Sequence, residues 1–153
     1  MTPERHQVIE KIRKAFAGVS LGNGIGLKEA QGLDDYEDQW ACAKHRESDE
    51  KQDWTKLSPS ELARCHSSLS FFDPEGMRFH LPAFLIAELE ETMCMSTEFH
   101  LTQLDDYRLS KLSLLSTEQK RAVESFLWEI LKDKRFRHSH EDISTALEDY
   151  WMK

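Results

Sequence analysis

Leu69-Ser70-Phe71-Phe72-Asp73-Pro74-Glu75-Gly76-Met77-Arg78-Phe79-His80-Leu81 is the stretch on which the fold class turns. Met77, Phe79 and Leu81 alternate with Arg78 and His80, which is the two-residue period of a half-buried strand. Asp73-Pro74-Glu75-Gly76, between the two apolar runs, has turn chemistry, with Pro74 at the second position and Gly76 at the fourth. The expectation is a β-hairpin over about 69–81. Two strands alone are marginal in water, so the hairpin has to pack on helices.

Outward from it the chain reads as helix. Thr2 can cap a first helix with Pro3 at its first position, and Val8, Ile9, Ile12, Ala15 and Phe16 make its apolar stripe. Leu27 to Gln31 reads as one short turn. Asp34 or Asp35 caps a helix to about Arg46, with Tyr36, Trp40 and Ala43 on one face. Ser58-Pro59-Ser60-Glu61 and Ser116-Thr117-Glu118-Gln119 are capping boxes, each opening a helix. A further helix is expected from Pro82 to about Cys94, a loop with short helical turns over 104–115, and a last helix over 141–151. The architecture expected is mainly α, a single helical domain spanning 1–153 with one small hairpin.

The 153 residues carry a net charge of −8 with 39% hydrophobic and 31% charged positions, a soluble globular balance. An anionic surface disfavours nucleic acid and acidic lipid as direct ligands, because such binding neutralises phosphates with Lys and Arg. It does not disfavour a basic protein partner. Cys42, Cys65 and Cys94 have no zinc-motif spacing and read as free thiols of a reducing compartment. Met1 to Arg5 opens no apolar leader, and no apolar run reaches membrane-spanning length. The expected location is the cytoplasm.

No stretch completes a catalytic, metal or cofactor motif, and no cofactor is expected. Gly22-Asn23-Gly24-Ile25-Gly26 has neither dinucleotide nor P-loop spacing and follows a helix, so it reads as a turn. His138-Ser139-His140-Glu141-Asp142 is a fragment of a metallo-hydrolase signature, with Ile143 where a further ligand would stand. Asp34-Asp35-Tyr36-Glu37-Asp38-Gln39-Trp40 lacks the alternate-position oxygens of a calcium loop. It leaves aromatic rings among carboxylates. A second acidic zone, with Glu88, Glu90, Glu91, Glu98, Asp105 and Asp106, contains no Lys or Arg between Phe79 and Tyr107, while Lys132, Lys134, Arg135 and Arg137 cluster later. That segregation reads either as intramolecular pairing or as an anionic docking face.

Several of these pieces together resemble a family of small bacterial proteins carried as a domain of unknown function. The matching residues are Phe16, Val19, Leu21-Gly22, Gly24-Ile25, Leu27, Glu29-Ala30, Leu33-Asp34, Tyr36, Asp49-Glu50 and Asp53-Trp54. They continue through Leu69-Ser70-Phe71, Asp73, Glu75-Gly76, Arg78-Phe79 and Leu81 to Phe84. The resemblance covers about 16–89 and transfers no catalytic residue. The chain is also similar to small acidic proteins paired with toxins in bacterial competition, including immunity proteins against secreted nucleases. What this implies is a non-enzymatic protein that occludes a basic toxin, a nuclease fitting best. The docking residues would be Asp34, Asp35, Tyr36, Glu37, Asp38, Trp40, Glu47, Asp49, Glu50 and Asp53. The alternative is a small metal-dependent hydrolase in which His138, His140 and Asp142 converge with His80 or Glu75. A third reading is an adaptor or homodimer built on the hairpin edge.

Overall fold

The segment expected to turn between strands starts a helix instead. The computed structural model describes residues 1–92 and 95–153, and among them there is no strand. Among the described residues nine α-helices follow in order: α1 (Pro3–Ala15), α2 (Leu27–Asp34), α3 (Gln39–Ser48), α4 (Pro59–Arg64), α5 (Pro74–Leu89), α6 (Phe99–Thr102), α7 (Asp106–Lys111), α8 (Thr117–Leu131) and α9 (His140–Ala146). Short 3₁₀ turns occupy Trp54–Lys56, Ser68–Ser70 and Lys134–Ser139, and a π-helical turn, Leu147–Trp151, ends the chain.

The physical reason for the correction is at Asp73. Its backbone is extended and its Oδ1 accepts the Gly76 N–H at 2.9 Å, so it is a helix N-cap. Pro74 takes the first helical position, where its missing N–H costs nothing, and Glu75 puts negative charge in the first turn. The apolar alternation misleads because α5 is buried on every side: thirteen of its sixteen residues are buried. A helix hydrophobic all round has no polar stripe to reveal its period. His80 is part of that interior. Its Nδ1–H donates to the Gly76 carbonyl at 2.7 Å and its ring stacks on Phe72 at 4.3 Å. Pro82, expected to open a new helix, lies inside α5, where it supplies no N–H for the Arg78 carbonyl. The expected end near Cys94 falls outside the described residues, as do Met93 and Cys94 themselves.

One apolar cluster runs through the molecule with α5 at its centre. Helix α1, with Ile9 and Ile12 buried and the buried Phe16 capping its end, packs on α8, where Val123, Phe126, Leu127 and Ile130 are buried. Trp54 Nε1 donates to the Phe16 carbonyl at 2.9 Å, and Trp151 Nε1 to that of Leu101 at 2.8 Å, so both buried indoles are satisfied. The capping boxes form as expected: Ser58 and Glu61 exchange hydrogen bonds at α4, Ser116 and Gln119 at α8. In the 104–115 stretch Asp105 caps α7 through the Arg108 N–H. No described helix is long and apolar enough to cross a membrane.

The 21–26 loop is clamped to the start of α5. Asp73 Oδ1 also accepts the Ile25 N–H at 3.0 Å, and Glu75 Oε2 accepts that of Asn23 at 3.2 Å. The approach is close enough that a Cβ at Gly76 would stand 2.7 Å from the Ile25 carbonyl oxygen. Two pieces of the family resemblance, the glycine loop and the Asp73-x-Glu75-Gly76 run, are therefore two sides of one joint.

Candidate functional site

Helices α2 and α3 pack against each other and carry the acidic, aromatic segment. The corner between them falls where a helix capped by Asp34 or Asp35 is expected to begin. α2 ends at Asp34, and Tyr36 takes a left-handed backbone with φ 58°. The Glu37 N–H returns to the Gly32 carbonyl at 3.0 Å and the Tyr36 N–H to that of Leu33 at 3.2 Å. This is the double-bonded helix terminus in which glycine usually holds the left-handed position. Asp38, not Asp34 or Asp35, caps the next helix, accepting the Ala41 N–H at 2.8 Å. Tyr36 and Trp40 consequently share no helix face, yet both project into solvent at 96% and 70% exposure. Lys44 lies 4.8 Å over the Trp40 ring.

The ten expected docking residues divide into two groups. At the corner, Asp35, Tyr36, Asp38, Trp40 and Glu47 are exposed, Asp34 and Glu37 half-buried. Gln31 is within hydrogen-bonding reach of Asp34 and Asp35, and Glu37 binds His45 Nε2 at 2.9 Å. The second group, Asp49, Glu50 and Asp53, is spent on the backbone. Asp49 is only 6% exposed and accepts the Lys28 and Glu29 N–H groups at 2.8 and 3.1 Å, capping α2 from across the fold. Burial raises its carboxyl above the usual aspartate range, against the opposing pull of those two amides. Glu50 accepts the N–H groups of Gln52 and Asp53. Asp53 caps the Trp54–Lys56 turn, and its bonds from Thr55 hold its carboxyl low.

Two cations not singled out in the sequence brace this region, Arg46 tying α3 to the glycine loop and Lys51 closing the end of α3. Arg46 donates to the Gly22 and Gly24 carbonyls at 2.8 and 3.1 Å, and Lys51 Nζ to those of Arg46, Glu47 and Asp49. The only signal in the sequence is for Lys51, isolated in an acidic run, and it does not say where the donors point.

The second acidic zone meets the later basic run at Arg135. Arg135 reaches Glu91 at 3.8 Å and donates to the Glu88 carbonyl, and Arg5 reaches Glu91 and Asp133. Glu88 and Glu98 are buried at 0% and 3% exposure, and each has one carboxylate oxygen without a hydrogen-bond partner among the described residues. Of the four basic residues of the later run, Arg135 alone is ion-paired to the second acidic zone among the described residues, at Glu91.

The hydrolase constellation does not assemble. His80 is fully buried and its imidazole is pushed down to about 4, first by burial. His138, His140 and Asp142 are exposed, and Glu75 is committed to the Asn23 N–H. Among the described residues no three His, Cys, Asp or Glu side chains converge as metal ligands. Cys42 and Cys65 are buried free thiols, and burial raises both.

No curated protein and no solved structure matches the chain. A family model does, over residues 4–153, a wider span than the 16–89 on which the resemblance rested. With every described helix but the first residue of α1 inside that span, the chain belongs to DUF6714, a family of unknown function.

Proposed function

We propose that this protein is a binding protein that neutralises a basic toxin in the cytoplasm by docking its α2–α3 corner, and that the toxin is a nuclease whose cationic substrate groove it occludes. The observation that carries this is Tyr36. A large aromatic side chain stands almost fully in water on a left-handed backbone that favours glycine, beside an exposed Trp40 and carboxylates with few cations among them. Strain of this kind persists where function requires it, and exposed Tyr and Trp are the residue types that anchor interfaces. The net charge of −8 supports a cationic partner through attraction at long range. Asp49 falls out of the docking set as a structural cap, and Glu50 and Asp53 are secondary.

The test is affinity capture from the source bacterium at low and high salt. The captured protein is then assayed for nucleic-acid cleavage with and without the chain. Wild type should capture a basic protein and suppress its cleavage, with Tyr36→Ala and Trp40→Ala each failing. No basic partner at either salt concentration, or capture indifferent to both substitutions, would defeat the proposal.

A further inference from the structure

Beside the aromatic corner, α2 and α3 enclose a groove of about 700 Å³. Leu33, Cys42 and Ala43 give it an apolar wall, and Glu29, Glu37 and Glu47 edge it. Its two cations are turned to other work. Lys51 Nζ donates to three backbone carbonyls at 2.7, 2.9 and 3.2 Å. Arg46 holds the Gly22 and Gly24 carbonyls and stands 3.7 Å from Glu29. Glu29 is answered by that guanidinium and by the Gly26 N–H at 2.9 Å. Glu37 is shared with His45. Glu47 has no side-chain hydrogen bond or ion pair among the described residues, and it is exposed. What faces an incoming group is therefore an open carboxylate above an apolar wall, with the local donors already bound to the backbone.

That combination suits a side chain with a long apolar stem and a cationic head. Resting on the docking reading above, we propose that the groove receives one arginine side chain of the basic partner. Its methylenes lie on Leu33 and Ala43, and its guanidinium reaches Glu47 and Glu37. Arginine fits better than lysine because its head is planar, weakly hydrated and able to bridge two carboxylates at once.

The experiment needs no partner. The isotopically labelled full chain is titrated with Nα-acetylarginine methylamide and, in parallel, with its lysine and citrulline counterparts, following amide shifts. Saturable shifts should centre on Leu33, Ala43 and Glu47, with the neutral citrulline compound at least about tenfold weaker. Glu47→Gln should weaken arginine binding about three- to fivefold, the scale of one exposed ion pair, and leave the remaining spectrum unchanged. Tyr36→Ala should leave it intact. Equal binding of citrulline, tighter binding of lysine, or shifts centred elsewhere overturns the proposal. Capture of a basic partner with no arginine binding in the groove removes the groove alone. Arginine binding in the groove with no partner captured leaves the groove and removes the docking reading.

Discussion

Replacing Tyr36 by glycine should make the protein more stable and less able to bind. The left-handed backbone at φ 58° costs a residue with a Cβ about 1–2 kcal/mol. Glycine removes that cost but adds about 0.5–1 kcal/mol of chain entropy in the unfolded state. The side chain contributes almost nothing to offset the change, since Tyr36 is 96% exposed and its hydroxyl has no hydrogen bond among the described residues. The net is a gain of about 0.5–1 kcal/mol, or a melting temperature higher by about 1–4 °C for a chain of this size. Losing an aromatic anchor should weaken partner binding by about 2 kcal/mol, roughly thirtyfold. Urea unfolding followed by tryptophan fluorescence gives the first quantity, and titration calorimetry with the captured partner gives the second. Tyr36→Ala is the control: it keeps the strain and loses the ring, so it should lose affinity without gaining stability. If Tyr36→Gly unfolds at lower urea than wild type, the strain argument is wrong. If it binds as tightly as wild type, Tyr36 is no anchor.

Asp49→Ala should cost about 1–2 kcal/mol, since two α2 amides lose their acceptor inside the fold, and it should alter partner affinity little once the folded fraction is corrected for. Stability should fall on acidification from about pH 6.5 toward 4. His80 is neutral in the fold with its imidazole lowered to about 4 by burial, so the unfolded chain, at 6.5, takes up the proton first, a loss of roughly 3 kcal/mol across that window. His100, lowered to about 4 by burial and then by Lys111 and Arg108, acts in the same direction; urea midpoints rising as pH falls through this window would contradict both. Glu88 has the opposite sign. Burial, with Glu98 adding, raises its carboxyl, so its ionised form weighs against the fold above that raised value and the penalty fades as pH falls. Glu88→Gln should therefore raise the urea midpoint more at pH 8 than at pH 5, and an equal shift at both would refute it.

Much of the helical framework is legible in the residues that cap it. Ser58-Pro59-Ser60-Glu61 and Ser116 to Gln119 give their helix starts away because capping is local chemistry, complete within four residues. Asp73-Pro74-Glu75-Gly76 offers the same kind of start, yet it also satisfies a turn, and the choice between them depends on what covers Met77 to Leu81. That is a property of the folded interior: a helix surrounded by α1, α4, α7 and α8 leaves no period to read. The acidic segment shows the same limit. Its charges are plain in the sequence, but Asp49 and Asp38 differ only in the backbone amides that come to meet them, and those of Lys28 and Glu29 arrive from another helix. Tyr36 is the reverse case. Nothing in Asp35-Tyr36-Glu37 announces a left-handed residue, because sequence rules place glycine there.

The carboxylate of Asp49 also fills the space in front of Gly26, where an added Cβ would collide with it. Two positions on opposite sides of the α2–α3 hairpin are thereby tied by volume as well as by hydrogen bonding. Inheritance should treat them as one character. A relative that exchanges Gly26 for a larger residue must also have shortened or withdrawn the side chain at position 49, and must cap its second helix by other means. Paired variation at these two sites across the family would mark where the hairpin has been rebuilt, independently of any drift in the partner it meets.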